Sequence, residues 1–291
     1  MTRILAIDLG GTNLRAAVST GDIGALETLG SEPAPATLDA FVARIDALCA
    51  EAGSVSALGI AVPGLVEGSV CRWIPNLAFL DGVDIQARFP RLRVALGNDA
   101  QIALLAEAVE GNAKSMSDAI LLAIGTGIGS AVLANGRIVA GAHGGACSFG
   151  WACADVRDHG EERSGWLERV ASGRALDGLA GQIGLADGRA LIAAAQAGEL
   201  AALTLLELPA RQLGTALAGA VALFDPQAVL ISGGLADALD VIRPPLLAAM
   251  RRQLPPHLRG IAVKSGQFGS RAGLVGAALA GGMGQGWRQV R

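Results

Sequence analysis

The chain contains no tyrosine, and aromatic residues make up only 3% of it. A core built on aromatic stacking is therefore excluded. Aliphatic packing must do that work, and with 52% hydrophobic residues there is enough of it for a sizeable core. Charge is also scarce, at 17% of residues and a net −3. A nucleic-acid partner would normally meet a basic face, so none is expected. Four cysteines in 291 residues make no disulfide framework, and a reducing cytoplasm is the expected location. No stretch reaches the roughly 20 apolar residues of a membrane span. The opening, MTRILAIDLGG, carries too short an apolar run for a secretory leader, so no membrane partner is expected.

What the chain has in quantity is glycine, 41 residues of it. Arg3 to Asp8 is a short apolar run ending in Leu9-Gly10-Gly11-Thr12, and Ala119 to Ile124 is another, ending in Gly125-Thr126-Gly127-Ile128-Gly129. Each is followed by a second strand-like run, Leu14 to Val18 and Ser130 to Leu133, and the latter meets a turn at Asn135-Gly136. Both read as β-hairpins with glycine-rich tips, and each opens about half of the chain. This internal repeat predicts two α/β domains of similar plan, residues 1–115 and 116–291, with the last helix packing back on the first domain. Helices are expected at Leu38–Ala52, Ala100–Gly111, Leu167–Leu179, Asp187–Ala197, Ala210–Phe224 and Gly273–Gly282. Another, Leu246–Gln253, is expected to start after Pro244-Pro245. Strands are expected at Ala57–Val62, Arg93–Leu96 and Ala228–Ser232, and the residues after Gly282 as a loose tail.

Glycines at a hairpin tip let backbone N–H groups approach phosphate oxygens with no Cβ in the way. In the first tip, Thr12 adds a hydroxyl donor, and Asp8 at the strand end can hold Mg²⁺ through water. A plain tight turn explains either tip equally well on its own, and neither is a Walker A loop, since no Gly-Lys-Ser/Thr follows. Gly233-Gly234, after the run 228–232, would suit adenosine lying against bare backbone; alone it reads as a simple turn. Asp99, at a strand end and opening a helix, is expected to be kept ionised by the helix dipole. Such a carboxylate can take a proton from a hydroxyl attacking a γ-phosphate, though helix capping is the commoner role of an Asp there.

Taken together, the motifs resemble the ROK family of bacterial sugar kinases and related repressors. They are Asp8-Leu-Gly-Gly-Thr12-Asn-Leu-Arg15, Gly59-Ile-Ala-Val-Pro-Gly64, Pro75-Asn76-Leu77, Gly97-Asn-Asp-Ala100, Gly125-Thr-Gly-Ile-Gly129, His143-Gly-Gly-Ala146, Leu167-Glu168 with Ala171-Ser172-Gly173, and Ile231-Ser-Gly-Gly234. The resemblance implies a two-domain actin-like (ribonuclease H-like) ATPase fold of α/β class, with a cleft that closes over ATP, Mg²⁺ and a sugar. It implies Asp99 as catalytic base and Asn98, Gly64, Asn76 and Glu168 as sugar-side residues. Asp8, Gly10, Gly11, Thr12, Asn13, Gly125, Thr126 and Gly127 would form the phosphate hairpins, and Gly233 and Gly234 the adenosine side. A homodimer is also expected from the family.

The departures lie on the sugar side. The family pattern continues His-Gly-Gly-Ala-Gly-Glu-x-Gly-His, followed by a zinc-binding cysteine cluster. Here Cys147, Ser148 and Trp151 stand at its fifth, sixth and ninth positions, and Trp166 stands where the last cysteine would be. No zinc site is therefore expected, and Cys147 and Cys153 are read as unpaired buried thiols. Ser148 and Trp151 point to a changed acceptor, such as a modified hexose or a cyclitol, with Trp151 stacking on a sugar or filling the space of the absent metal. A catalytically weak or inactive sugar-binding protein is the alternative reading. A sugar-responsive repressor would need a DNA-reading domain, and none is expected, because the Asp8 motif begins at once.

Overall fold

In the computed structural model of the chain, residues 3–20 and 26–291 are described. The first half contains β1 (Arg3–Leu9), β2 (Asn13–Ser19), β3 (Glu27–Pro33), α1 (Leu38–Ala52), β4 (Val55–Val62), β5 (Leu65–Glu67), β6 (Val70–Trp73), α2 (Ile85–Arg88), β7 (Arg93–Asn98) and α3 (Asp99–Glu110). There follow β8 (Ala119–Ile124), β9 (Ile128–Ala134), β10 (Arg137–Ile138), α4 (Trp166–Ala171), α5 (Gly173–Gln182), α6 (Gly188–Gln196), α7 (Leu200–Phe224), β11 (Ala228–Ser232), α8 (Leu239–Gln253), β12 (Ala262–Ser265) and α9 (Ala272–Met283). The chain divides into two compact units. Unit 1 is Met1–Ser115, Gly136–Ala146 and Arg271–Arg291; unit 2 is Met116–Asn135 and Cys147–Ser270.

Unit 1 carries a sheet of order β3-β2-β1-β4-β7, in which β1 and β2 form the antiparallel hairpin and β4 and β7 run parallel to β1. Aliphatic side chains supply its core, including Leu5, Ile7, Leu58 and Ile60 from the strands and Phe41, Ile45 and Leu48 from one face of α1. On the other side α9 approaches so closely that only glycine fits. A Cβ on Gly59 would strike the Ala277 carbonyl, and one on Gly276 the Ile102 carbonyl. Unit 2 repeats the plan as β9-β8-β11-β12, with an antiparallel β8–β9 hairpin followed by parallel strands.

Several local expectations are corrected. Pro244 and Pro245 lie inside α8, which starts at Leu239, and Pro209 lies inside α7, which starts at Leu200. In both helices a buried apolar stripe (Leu239, Ile242 and Leu246; Leu206, Pro209 and Leu213) overrides the local preference of proline for a helix start. The helix expected over Leu167–Leu179 breaks at Ser172, whose hydroxyl caps α5 by accepting the Ala175 N–H at 3.4 Å. The tail after Gly282 is packed rather than loose: Trp287 is 1% exposed, and the Ile138 N–H donates to the Arg288 carbonyl at 2.9 Å. No single helix among the described residues is long and apolar enough to cross a membrane.

Candidate active site

In unit 1, β1, β4 and β7 all end at the same edge, the carboxyl end of the parallel strands, where ligand-facing loops usually gather. β7 ends at Asn98, and Asn98 caps α3: its Oδ1 accepts the N–H groups of Ala100 (3.0 Å) and Gln101 (3.4 Å). The capping role weighed for Asp99 thus belongs to its neighbour. Asp99 is the first helical residue, with Oδ1 accepting the Ala100 N–H at 2.7 Å. Burial pushes its carboxyl up to about 6; the Ala100 N–H opposes the shift and the negative charge of Asp8 adds to it. Desolvation thus outweighs the helix terminus in setting this carboxyl, against the expectation that the helix start alone would favour its charge.

The remaining sugar-side residues of unit 1 form a continuous chain of contacts with this pair. Asn98 Nδ2 donates to the Gly64 carbonyl at 2.9 Å. Gly64 turns the chain with φ +94°, and a Cβ there would stand 2.9 Å from Pro75 Cδ. Next to Pro75, Asn76 presses on the first glycine tip, where a Cβ on Gly11 would lie 2.6 Å from Asn76 Cβ. The tip itself is closed by Gly10 N–H donating to the Asn13 carbonyl at 2.8 Å, and Gly11, Thr12 and Asn13 are exposed. Asp8, at the base of the tip, pairs with Arg15 at 3.6 Å. Burial raises its carboxyl above the usual range, partly offset by Arg15.

Unit 2 presents the second tip in a similar frame. Gly125 and Thr126 are exposed, and the turn is closed by Gly125 N–H donating to the Gly127 carbonyl at 3.0 Å. The Glu168 carboxylate of α4 lies against Gly127, so that a Cβ on this glycine would strike it; burial raises this carboxyl, and Arg174 partly opposes the shift. The first N–H of α5, on Gly173, donates to the Gly125 carbonyl at 2.7 Å. Gly233 (φ +78°) follows β11 and packs on the Ile124 backbone, at the foot of the same tip.

The loop that departs from the family pattern is braced by residues of its own. Cys147 sits in the left-handed region at φ +66°, where the pattern has glycine. The Ser130 hydroxyl donates to its carbonyl and accepts the Phe149 N–H at 3.0 Å. Ser148 is exposed, and Trp151 is 46% exposed, so its ring does not fill a void left by a metal. The buried tryptophan of this region is Trp166. Arg169 holds the loop down, donating to Asp158 at 2.6 and 2.7 Å and to the Ser164 carbonyl at 2.7 Å. The cysteines are all free, but only Cys71 is fully buried; Cys147 is half-buried and Cys153 exposed, which corrects the expectation of buried thiols. Among the described residues, no three His, Cys, Asp or Glu side chains gather to hold a metal ion.

Sequence reasoning missed three contacts here. A Cβ on Gly273 of α9 would stand 2.6 Å from Asp8 Cγ, so the helix start rests directly on that carboxylate. Gly173 was part of a motif, but nothing in its spacing tied it to Gly125. Gln101, buried in the first turn of α3, looked like an ordinary helix residue.

The ROK family profile matches residues 4–280. The chain belongs to the ROK family. N-acetylmannosamine kinase of Escherichia coli is 32% identical over 290 residues, covering 94% of this chain and 97% of that protein. The bifunctional enzyme NanE/NanK of Brucella melitensis is also 32% identical over 94% of this chain, which spans about half (53%) of that longer relative. Among solved ROK structures, a Streptomyces griseus glucokinase in complex with glucose and AMPPNP superposes with a TM-score of 0.81 at 27% identity, over 97% of this chain and 100% of the other. The α/β architecture read from the glycine repeat is thus the ROK sugar-kinase, actin-like fold.

Proposed function

We propose that this ROK protein is an ATP-dependent kinase that phosphorylates a hydroxyl of a hexose or modified hexose, with Asp99 as general base. The observation that carries the reading is the position of Asp99. Its carboxyl is partly buried at the strand edge, shares the Ala100 N–H with the capping Asn98, and is tied through Asn98, Gly64, Pro75 and Asn76 to the glycine tip that begins beside Asp8. The relatives support the class of acceptor, being an N-acetylmannosamine kinase and a glucokinase.

The residues present fit a polyphosphate. Gly10 and Gly125 leave room where a Cβ would stand, with no side chain filling either cradle. Gly10, Gly11, Thr12 and Asn13 would offer backbone N–H groups to phosphate oxygens, as would Gly125, Thr126 and Gly127; Gly233 and Gly234 would take the adenosine, and Asp8 a water-bound Mg²⁺. Bound ATP supplies the transferable phosphoryl group, and Mg²⁺ offsets its charge. The protein's own part is positioning and proton transfer. Asn76, Asn98 and Glu168 orient the acceptor, and Asp99 takes the hydroxyl proton as the sugar oxygen forms its bond to phosphorus and ADP leaves. We place the activity in the cytoplasm, where ATP is available, and in a homodimer.

Ser148 and Trp151 distinguish the acceptor. The exposed indole of Trp151 offers a flat apolar face to a ring or an acyl group, where an imidazole would offer hydrogen bonds. A panel of hexoses, N-acetylhexosamines and cyclitols, read by ADP release, tests the assignment. Turnover with at least one hexose or N-acetylhexosamine is expected. Activity confined to cyclitols would overturn the acceptor, and no turnover with any member would overturn the kinase reading.

A further inference from the structure

Trp287 and Arg288 lie far in sequence from every residue given a role above, yet they pack against the segment that carries Asp99. Trp287 is the largest fully buried side chain described, and a Cβ on Gly97 would stand 2.6 Å from its Cζ2. Gly97 is thus bare because the indole floor lies directly beneath it, two residues before Asp99. The Arg288 guanidinium lies 4.4 Å from the centre of the same ring. Its Nε donates to Gln101 Oε1 at 3.3 Å. Gln101 is 2% exposed and sits in the first turn of α3, and its Nε2 reaches the Val139 carbonyl at 3.4 Å. Val139 leads into the His143-Gly144-Gly145 loop, whose Gly144 rests on the Val66 carbonyl of β5. The backbone closes the arrangement, with Ile138 N–H donating to Arg288 O and Val290 N–H to Gly136 O, both at 2.9 Å. These residues all belong to unit 1.

We infer that Trp287 and Arg288 form a positioning clamp that sets the height and direction of the Asn98-Asp99 segment and, through Gln101, holds the 139–146 loop in register with it. Neither residue reaches the acceptor. Trp287 acts from below by filling the space under Gly97. Arg288 acts from the side, by giving a buried Gln101 oxygen a charged donor that fixes its amide and leaves Nε2 for Val139. A misplacement of the base by about 1 Å can cost on the order of 100-fold in rate, so a clamp remote from chemistry can control turnover.

The inference rests on Asp99 being the base, so the test keeps the two apart. Arg288→Ala, Arg288→Lys, Trp287→Phe and Asp99→Asn would be compared with wild type by steady-state kinetics, melting temperature and hydrogen exchange of the peptide spanning residues 97–105. For Arg288→Ala, kcat should fall about tenfold or more. KM for ATP should hold, the melting temperature should change little, and exchange should quicken at 97–101. Arg288→Lys, which restores a donor, should regain much of the rate, and Trp287→Phe should lose less than Arg288→Ala. Wild-type kcat in Arg288→Ala, or losses of rate and melting temperature in proportion with no rescue by lysine, would overturn the clamp. Unchanged exchange at 97–101 would overturn it independently of activity. Full turnover by Asp99→Asn would instead refute the base, while the exchange result would still decide whether the clamp holds the segment.

Discussion

The two glycine tips are built alike and backed differently. In each, one glycine meets no side chain (Gly10, Gly125), while the next but one or the very next is pressed by a polar side chain (Gly11 by Asn76, Gly127 by Glu168). Each pressed glycine therefore joins a proposed phosphate cradle to a residue proposed to hold the acceptor. Unit 1, however, adds two carboxyls raised by burial, Asp8 and Asp99, whereas unit 2 adds one, Glu168, together with the first N–H of α5. Repetition of a fold supplied two glycine tips of like build; the proposed proton transfer is assigned to one of them. On this account the proposed base belongs to unit 1.

The largest way to break that asymmetry is Asp99→Asn. It should lower kcat by about 10²- to 10⁴-fold while leaving ATP affinity near its wild-type value, measured by calorimetry. The same variant should be more stable at neutral pH. A carboxyl whose folded pKa lies above its ordinary 3.8 contributes stability that is present below that value and is lost as pH rises through about 6. Removing the charge should raise the melting temperature at pH 8, with little change at pH 4; equal shifts at both pH values would contradict the burial of Asp99.

Alanine at the tips should give a smaller, patterned effect. At Gly125 a methyl meets no atom within 4 Å, so the fold should be untouched while KM for ATP rises about tenfold or more. At Gly127 it displaces only the end of the Glu168 side chain, so KM for the sugar should rise with little loss of melting temperature. At Gly11 it meets Asn76 at Cβ, close to the backbone, and stability should fall as well as activity. Equal behaviour at all three positions would dissolve the comparison. The smallest effect is expected at the departing loop: Ser148→Glu should change the ranking of hexoses in the panel by several-fold and leave KM for ATP alone.

Much of this was legible in the sequence because glycine carries position-specific information. Runs ending in Leu9-Gly10-Gly11 and Ile124-Gly125-Thr126 marked both hairpins, and α1 was readable to the residue from its apolar spacing. β3 was not, since its side chains are largely exposed and show no apolar alternation, and four-residue β12 is too short to show a period. The same limit applies to the site. Asp99 and Asn98 could be named, but their division of labour could not, because adjacent Asn and Asp are equally good caps and only geometry shows which one caps. Trp287 was invisible for a different reason: a lone tryptophan beyond the last helix has no pattern around it, and its value lies in a contact with Gly97 across the chain.

The most direct test of the central claim is the pH dependence of kcat/KM for the sugar in wild type and in Asp99→Asn. A base that must be ionised, with its carboxyl raised to about 6, predicts a plateau above about pH 7 and a fall approaching tenfold per unit below about 6. The residual activity of Asp99→Asn should lack that limb, although Asp8 remains. A wild-type profile flat down to pH 4.5, or the same limb persisting in Asp99→Asn, would contradict Asp99 as the base.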